Sequence, residues 1–182
     1  RFFPRFDELE AREMLSAAPL VVGPDAGGPP RVKVYNAATG GLLLNFLAFD
    51  SSFTGGVRVA SGDVTGDGVH DIIAAKGPGG GSQVRVFDGV TGSPLAGVLG
   101  NFQAYAAGET NGVFVAAGDV NGDGWADIIT GTEQGAAPVV KIFSGLNGSP
   151  SPERSLTAPA SRAIICWALH RPFGPIEESG SR

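Results

Sequence analysis

Short apolar stretches recur along the chain and are separated by turns rich in Gly, Pro, Asp and Asn. Three of these stretches alternate apolar with basic residues and end in an aromatic ring: Val-Lys-Val-Tyr at 32–35, Val-Arg-Val-Phe at 84–87 and Val-Lys-Ile-Phe at 140–143. A period of two is typical of β-strands, and Gly-rich turns punctuate them. The pattern therefore predicts an all-β protein built from short strands.

The strands belong to a repeat. The stretch Asp-Val-Thr-Gly-Asp-Gly-Val-His-Asp-Ile-Ile at 63–73 returns as Asp-Val-Asn-Gly-Asp-Gly-Trp-Ala-Asp-Ile-Ile at 119–129, an offset of 119 − 63 = 56 residues. Alternating apolar residues before each copy and the β-branched pair after it indicate that each Asp-rich loop joins two strands. One full unit is predicted to have four strands, at 57–63, 71–76, 83–88 and 95–105.

Each loop places side-chain oxygens at its positions 1, 3, 5 and 9. These residues are Asp63, Thr65, Asp67 and Asp71 in the first copy and Asp119, Asn121, Asp123 and Asp127 in the second. Glycine at position 6 permits a sharp turn with positive φ. This turn aims the position 7 carbonyl, of Val69 or Trp125, at the same centre. A set of roughly six to eight oxygen ligands suits Ca²⁺ better than Mg²⁺.

We therefore predict two Ca²⁺ sites, of which the first is the weaker because a Thr hydroxyl is a poorer ligand than an amide oxygen. The alternative is a pair of Asp-Gly hairpin turns in which Asp and Asn cap their own backbone. An EF-hand needs Glu at position 12 and flanking helices. Position 12 is Ala74 or Thr130, which excludes EF-hand and dockerin-type loops.

With strands on both sides, the two loops and the Gly-rich turns at 76–79 and 135–138 resemble FG-GAP repeats, also called VCBS repeats, of the integrin α-chain N-terminal type. The resemblance covers about residues 20–150. It implies a partial β-propeller of four-stranded antiparallel blades, about 2.5 of them here, with calcium-binding loops. The blade parts would be 20–56, 57–112 and 113–150. Since a closed propeller typically needs 4–8 blades, we expect the chain to be part of a longer repeat protein.

Both ends of the chain differ from the repeats. In the segment 1–19, residues 9–16 read as a short helix after a capping-box signature. This segment resembles an export-associated stretch near the start of large bacterial surface proteins. Prolines interrupt the tail, residues 151–182. The apolar run at 164–169 either supplies the fourth strand of the last blade or is irregular.

Composition limits the possible partners. The net charge is 13 − 18 = −5, which argues against binding to nucleic acid or an anionic membrane. The single Cys excludes an internal disulfide, and no apolar run is long enough to insert in a membrane.

The functional hypothesis that follows is a non-catalytic Ca²⁺-binding segment of an extracellular or cell-surface protein, acting in adhesion or in binding an unidentified protein or carbohydrate. It rests on the resemblance and on the repetition of the carboxylates, since an active site is rarely built twice. Accessory repeats of a secreted polysaccharide lyase or hydrolase, and a structural spacer, are the alternatives. Trp125 is expected to pack between blades, with stacking on a sugar ring as its alternative role.

Overall fold

The computed structural model describes residues 18–108, 111–133, 139–150 and 156–157. These residues form strands and turns and contain no helix, which confirms the all-β prediction. The strands are β1 Leu20–Val22, β2 Arg31–Tyr35, β3 Leu42–Leu47, β4 Val57–Gly62, β5 Asp71–Lys76, β6 Gln83–Phe87, β7 Phe102–Gln103, β8 Val113–Gly118, β9 Asp127–Thr132, β10 Val139–Phe143 and β11 Leu156–Thr157. The predicted helix at 9–16 lies outside the described residues.

The strands form three antiparallel sheets in which neighbours in sequence are neighbours in space. The first sheet contains β1 to β3, the second β4 to β7 and the third β8 to β11. The pairs β4–β5 and β8–β9 have the same register: Gly62 faces Asp71 in one and Gly118 faces Asp127 in the other. The 56-residue repeat is thus also a repeat of backbone pairing.

The fourth strand of the second sheet is shorter than predicted, and the third sheet has a short fourth strand in the tail. β7 contains only Phe102–Gln103, whereas the sequence predicted a strand over 95–105. Leu95 and Leu99 both bond to Val86 of β6, but Gly97 between them has a φ of 73° and Asn101 N–H donates to the Val98 carbonyl, so the chain turns there and regular pairing begins only at Phe102. In the third sheet the fourth strand is Leu156–Thr157, which pairs with β10. The run at 164–169 lies outside the described residues.

The second sheet is buried on both faces. Successive side chains of a strand point to opposite faces, and β5 is buried from Asp71 through Ala75. Ile72 packs in a cluster with Val32 and Val34 of the first sheet. Ile73, on the other face, packs in a cluster with Ile128 of the third sheet. Double-sided burial explains why β5 is a continuous apolar run with no alternation.

The basic residue of two of the three alternating strands, β6 and β10, reaches across to the preceding sheet. Arg85 Nη1 donates to the Ala48 carbonyl at 2.7 Å, and Lys141 Nζ donates to the Ala104 carbonyl at 3.1 Å. The same link therefore occurs at both junctions between sheets. None of the described residues forms a helix of the length and apolarity needed to cross a bilayer.

Candidate functional site

The two Asp-rich loops join the first two strands of the second and third sheets. Gly68 and Gly124, at position 6, have φ values of 84° and 90°, as the sequence predicted. The glycines at position 4, Gly66 and Gly122, also have positive φ, 73° and 81°. Two residues with left-handed φ, at positions 4 and 6, give each loop a tight coil. Only glycine adopts this φ at low energetic cost.

The coil turns backbone N–H groups toward the first aspartate of each loop. Asp63 Oδ1 accepts from the N–H groups of Gly66 at 2.7 Å and Asp67 at 3.1 Å, and its Oδ2 accepts from Gly68 at 2.8 Å. Asp119 accepts the three equivalent bonds in the second loop, at 2.7, 3.2 and 2.9 Å. These bonds, above all the one from Gly124, hold the pKa of Asp119 below its ordinary value because they stabilise the carboxylate.

The position 9 aspartates are buried beneath the loops. Asp71 is 1% exposed; its Oδ2 accepts from the N–H groups of Val64 and Thr65, and its Oδ1 accepts from Gly89 at 3.1 Å. Burial is the largest influence on Asp71 and raises its pKa despite these bonds.

Asp127 occupies the equivalent position in the second loop and is also 1% exposed. Its Oδ2 accepts from Val120 N–H and its Oδ1 from Gly145 N–H. Burial raises the pKa of Asp127, and the negative charges of Asp123 and Asp119 raise it further. The two position 9 carboxyls are therefore alike in burial, in two of their backbone hydrogen bonds and in the direction of their pKa shifts, and Asp71 accepts one further bond, from Thr65 N–H.

Sequence reasoning missed Gly89 and Gly145, which lie 18 residues after their aspartates. A Cβ at Gly89 would overlap the carbonyl oxygen of His70, and a Cβ at Gly145 would overlap that of Ala126. Only glycine lets this backbone come close enough to donate to the buried carboxylate. The sequence pattern that could have identified these glycines is the repeated Phe-Asp-Gly at 87–89 and Phe-Ser-Gly at 143–145.

The remaining predicted residues also bond within their own loops. Asp67 Oδ1 accepts from Val69 N–H at 2.8 Å, and Asp123 Oδ1 accepts from Trp125 N–H at 2.9 Å. The Thr65 hydroxyl bonds to Asp71. Asn121 is held on Asp123, because its Nδ2 donates to Asp123 Oδ2 and its Oδ1 accepts from Asp123 N–H.

The donor set of each loop has the chemistry that Ca²⁺ prefers, since all its side-chain ligands carry oxygen. None of the loop carboxylates forms an ion pair with a Lys or Arg in the described part of the chain. The two ion pairs found there join Arg58 to Asp25 and Arg58 to Glu133. Within the same residues, no group of three or more His, Cys, Asp and Glu side chains has an arrangement that could hold a metal ion. The carboxylates point at backbone N–H groups, so Ca²⁺ binding stays a prediction.

The two loops touch each other. Trp125 Nε1–H donates to the Thr65 carbonyl at 3.2 Å, and Ala126 N–H donates to the Asp63 carbonyl at 2.7 Å. The predicted packing of Trp125 between repeats is confirmed by this bond and by the contact of its indole with Gly66.

Comparison with known proteins identifies one stretch of the chain. Residues 63–130 match the family model described as an FG-GAP-like repeat. The match runs from the first aspartate of the first loop to just past the last aspartate of the second, and it confirms the resemblance over these residues. No curated protein and no solved structure matches the chain.

Proposed function

We propose that this chain, which carries an FG-GAP-like repeat at residues 63–130, is a non-catalytic, calcium-stabilised segment of a β-propeller. Each of its sheets would be one blade, or part of one. The segment would belong to an extracellular or cell-surface protein and would act in adhesion or in binding a protein or carbohydrate ligand.

The observation that carries the proposal is that two aspartates 56 residues apart accept the same set of backbone N–H bonds. Asp63 and Asp119 each accept three N–H bonds from positions 4, 5 and 6 of their loops. These bonds hold this one carboxylate in place, so it would lose little further side-chain freedom on binding a cation, which lowers the entropic cost of binding. The other carboxylates of each loop lie within the next eight residues.

Electrostatics supports the same proposal. Each loop concentrates three carboxylates in nine residues, and none of them has a basic partner in the described part of the chain. Like charges held this close repel one another, and at Asp127 the neighbouring aspartates add to the effect of burial on its pKa. A divalent cation would reverse this repulsion. The donors would be the side chains at positions 1, 3, 5 and 9 and the position 7 carbonyl.

The duplication supports a structural role for the carboxylates over a catalytic one. A glycosidase needs two carboxyl groups with different roles, one acid and one nucleophile or base. Here Asp71 and Asp127 have matched burial, two equivalent backbone hydrogen bonds each and the same direction of pKa shift. Equivalent environments at equivalent positions favour two copies of one binding loop.

Calorimetric titration of the purified chain with Ca²⁺ tests the proposal. We expect two sites per chain, with dissociation constants up to about the 10⁻⁴–10⁻³ M range of extracellular calcium modules. Asp67→Asn and Asp123→Asn should each weaken the site in their own loop, because each removes a ligand charge from that loop. Asp50→Asn is the control, since Asp50 is an exposed turn residue outside both loops. No binding at millimolar Ca²⁺ would refute the proposal.

A glycan array probed with the Ca²⁺-loaded chain addresses the ligand. Binding to a defined glycan would support a carbohydrate ligand. The absence of binding to every glycan would leave a protein ligand or a spacer role.

A further inference from the structure

The two Asp-rich loops have different neighbours although their sequences repeat. Ala126 N–H and Trp125 Nε1–H of the second loop both donate to carbonyls of the first, those of Asp63 and Thr65. The first loop is therefore held from outside at two backbone atoms, both in residues that the sequence predicts as ligands.

The position 4 glycines show the same asymmetry. A Cβ at Gly66 would overlap the Trp125 indole, whereas a Cβ at Gly122 would meet no atom within 4 Å. Both glycines have positive φ, 73° and 81°, so they differ in their neighbours and not in their backbone strain. The indole occupies the space beside Gly66.

Trp125 is attached to its own loop as well. Its backbone N–H donates to Asp123 Oδ1 at 2.9 Å, and the next residue, Ala126, leads directly into the buried Asp127. When the second loop is ordered, the position of the Trp125 backbone is fixed, and the indole is fixed with it. Disorder in the second loop would release the indole from the first.

We propose that Trp125 is a positioning residue for the first Asp-rich loop, so that the order of the second loop controls the order of the first. The link is the chain of contacts from Asp123 Oδ1 through the Trp125 backbone and indole to the Thr65 carbonyl. Its consequence for cation binding rests on the function proposed above: occupation of the second loop would raise the Ca²⁺ affinity of the first.

Amide hydrogen exchange in EDTA tests the link without any metal. The amides to follow are those of Gly66, Asp67 and Gly68, which bond to Asp63. Asp123→Ala removes the acceptor of the Trp125 N–H and should speed their exchange about 2- to 10-fold, the range expected for losing about one hydrogen bond. In a Trp125→Phe background the same substitution should speed it less than about 2-fold, because the indole link is already absent and only the backbone bond from Ala126 to Asp63 still joins the loops. Equal acceleration in both backgrounds would overturn the proposal.

A glycine pair controls for loss of folding. Gly66→Ala and Gly122→Ala impose similar strain at positive φ, but only the first displaces the indole. In Gly66→Ala we expect the exchange of the first-loop amides to become insensitive to Asp123→Ala. In Gly122→Ala that sensitivity should persist. If both variants behave alike, Trp125 does not carry the link.

Calcium titration of the same variants then separates this inference from the proposed function. With Trp125 present, Asp123→Ala should lower the Ca²⁺ affinity of the first loop about 2- to 10-fold, and in the Trp125→Phe background the effect should fall below about 2-fold. A wild-type chain that binds no Ca²⁺ would refute the proposed function and the affinity effect, while the exchange experiment would still decide whether Trp125 positions the loop. Two sites that bind independently would overturn the inference alone.

Discussion

At the scale of single residues, the loops are organised by carboxylates that accept backbone N–H bonds. Asp63 and Asp119 accept three each from their own loops, whereas Asp71 and Asp127 accept one from a turn 18 residues further along. Buried or tightly coiled backbone must satisfy its N–H groups. The carboxylates satisfy them here, so these aspartates stabilise the loops whether or not they also bind a cation.

The sequence predicted which residues form the loops because their spacing is local. It predicted the positive φ at Gly68 and Gly124, since a sharp turn at position 6 has a chemical reason. It did not predict Gly89 or Trp125 as neighbours of the first loop. Gly89 reaches Asp71 only through strand pairing, and Trp125 reaches Thr65 only through the packing of two sheets. Contacts over 18 and 60 residues depend on the tertiary fold.

A turn outside the loops provides a pH-dependent prediction. Asp88 Oδ1 accepts from Val90 N–H and from both the N–H and the hydroxyl of Thr91, and the bonds from Thr91 lower the pKa of Asp88. A lowered folded-state pKa adds stability above the unfolded-state value, near 3.8, and this stability is lost as pH falls through the folded-state pKa.

Asp88→Asn keeps the acceptor and removes the charge. At about pH 6 the variant should be less stable by up to about 1 kcal/mol, a modest value because solvent screens a partly exposed group. The difference in free energy of unfolding between variant and wild type, measured by urea unfolding, should shrink toward zero below pH 3.8.

The turn after β2 supplies the converse variant, because the Asn36 side chain accepts there from the N–H groups of Ala38 and Thr39. Asn36→Asp should introduce the same pH dependence, and a pH-independent difference for both variants would contradict the argument.

At the scale of strands and sheets, the alternating pattern was enough to predict β2, β4 and β6 within a residue or two, and the β-branched pair after the first loop predicted β5. The fourth strands were harder. β7 is short because Gly97 turns the chain, and β11 lies in a stretch with no alternation to identify it. Sequence patterns locate strands with a buried face better than edge strands, whose side chains have less apolar surface to bury.

Contacts between sheets use polar groups that the pattern alone does not explain. The Tyr105 hydroxyl lies within 3.0 Å of the Thr130 carbonyl and 2.9 Å of the Val139 carbonyl, so the end of one repeat binds two strands of the next. Burial raises the pKa of Tyr105, which keeps the hydroxyl protonated and able to donate. These two hydrogen bonds can form only if the second and third sheets pack closely.

That close packing can be tested at two equivalent glycines, Gly62 and Gly118, which end β4 and β8. A Cβ at Gly62 would lie 2.8 Å from the Cβ atoms of Ala117 and Ala126, whereas a Cβ at Gly118 would meet nothing within 4 Å. Gly62→Ala should lower the free energy of unfolding by about 1–3 kcal/mol through overpacking. Gly118→Ala should be neutral or stabilise by up to about 1 kcal/mol.

The two alanine variants are compared by urea unfolding of the full chain in EDTA, which leaves cation binding out of the comparison. Since both glycines precede the first aspartate of a loop, any effect of alanine on the loop itself should be shared. Equal destabilisation by the two substitutions would mean that the loop, and not the packing between sheets, requires glycine there.

At the scale of the whole molecule, three sheets stack face to face with the second sheet enclosed. The two clusters of buried side chains lie on its opposite faces. The two Asp-rich loops lie at equivalent corners of adjacent sheets and are joined by Trp125 and Ala126. A cation in either loop would fix the first two strands of one sheet, and through them the packing against its neighbour.

The repeat, the all-β class and the family resemblance were predictable because each is encoded in local spacing. The stacking order and the inequivalence of the two loops were not. Gly66 and Gly122 occupy the same position of the repeat, yet only Gly66 is covered by an indole. Equivalent positions have different environments because their sheets occupy different positions in the stack. A loop can be covered only where the following sheet lies against it.

Thermal unfolding of the full chain in EDTA and in excess Ca²⁺ tests the central claim most directly. Binding to the native state at a free Ca²⁺ of about ten times the dissociation constant adds about 1.4 kcal/mol per site, about 2.8 kcal/mol for two. For a chain of this size we expect the Tm to rise by about 6–11 °C, and removal of Ca²⁺ to reverse the rise. The same Tm in EDTA and in millimolar Ca²⁺ would contradict the account, because the two loops would then be stabilised by their hydrogen bonds alone.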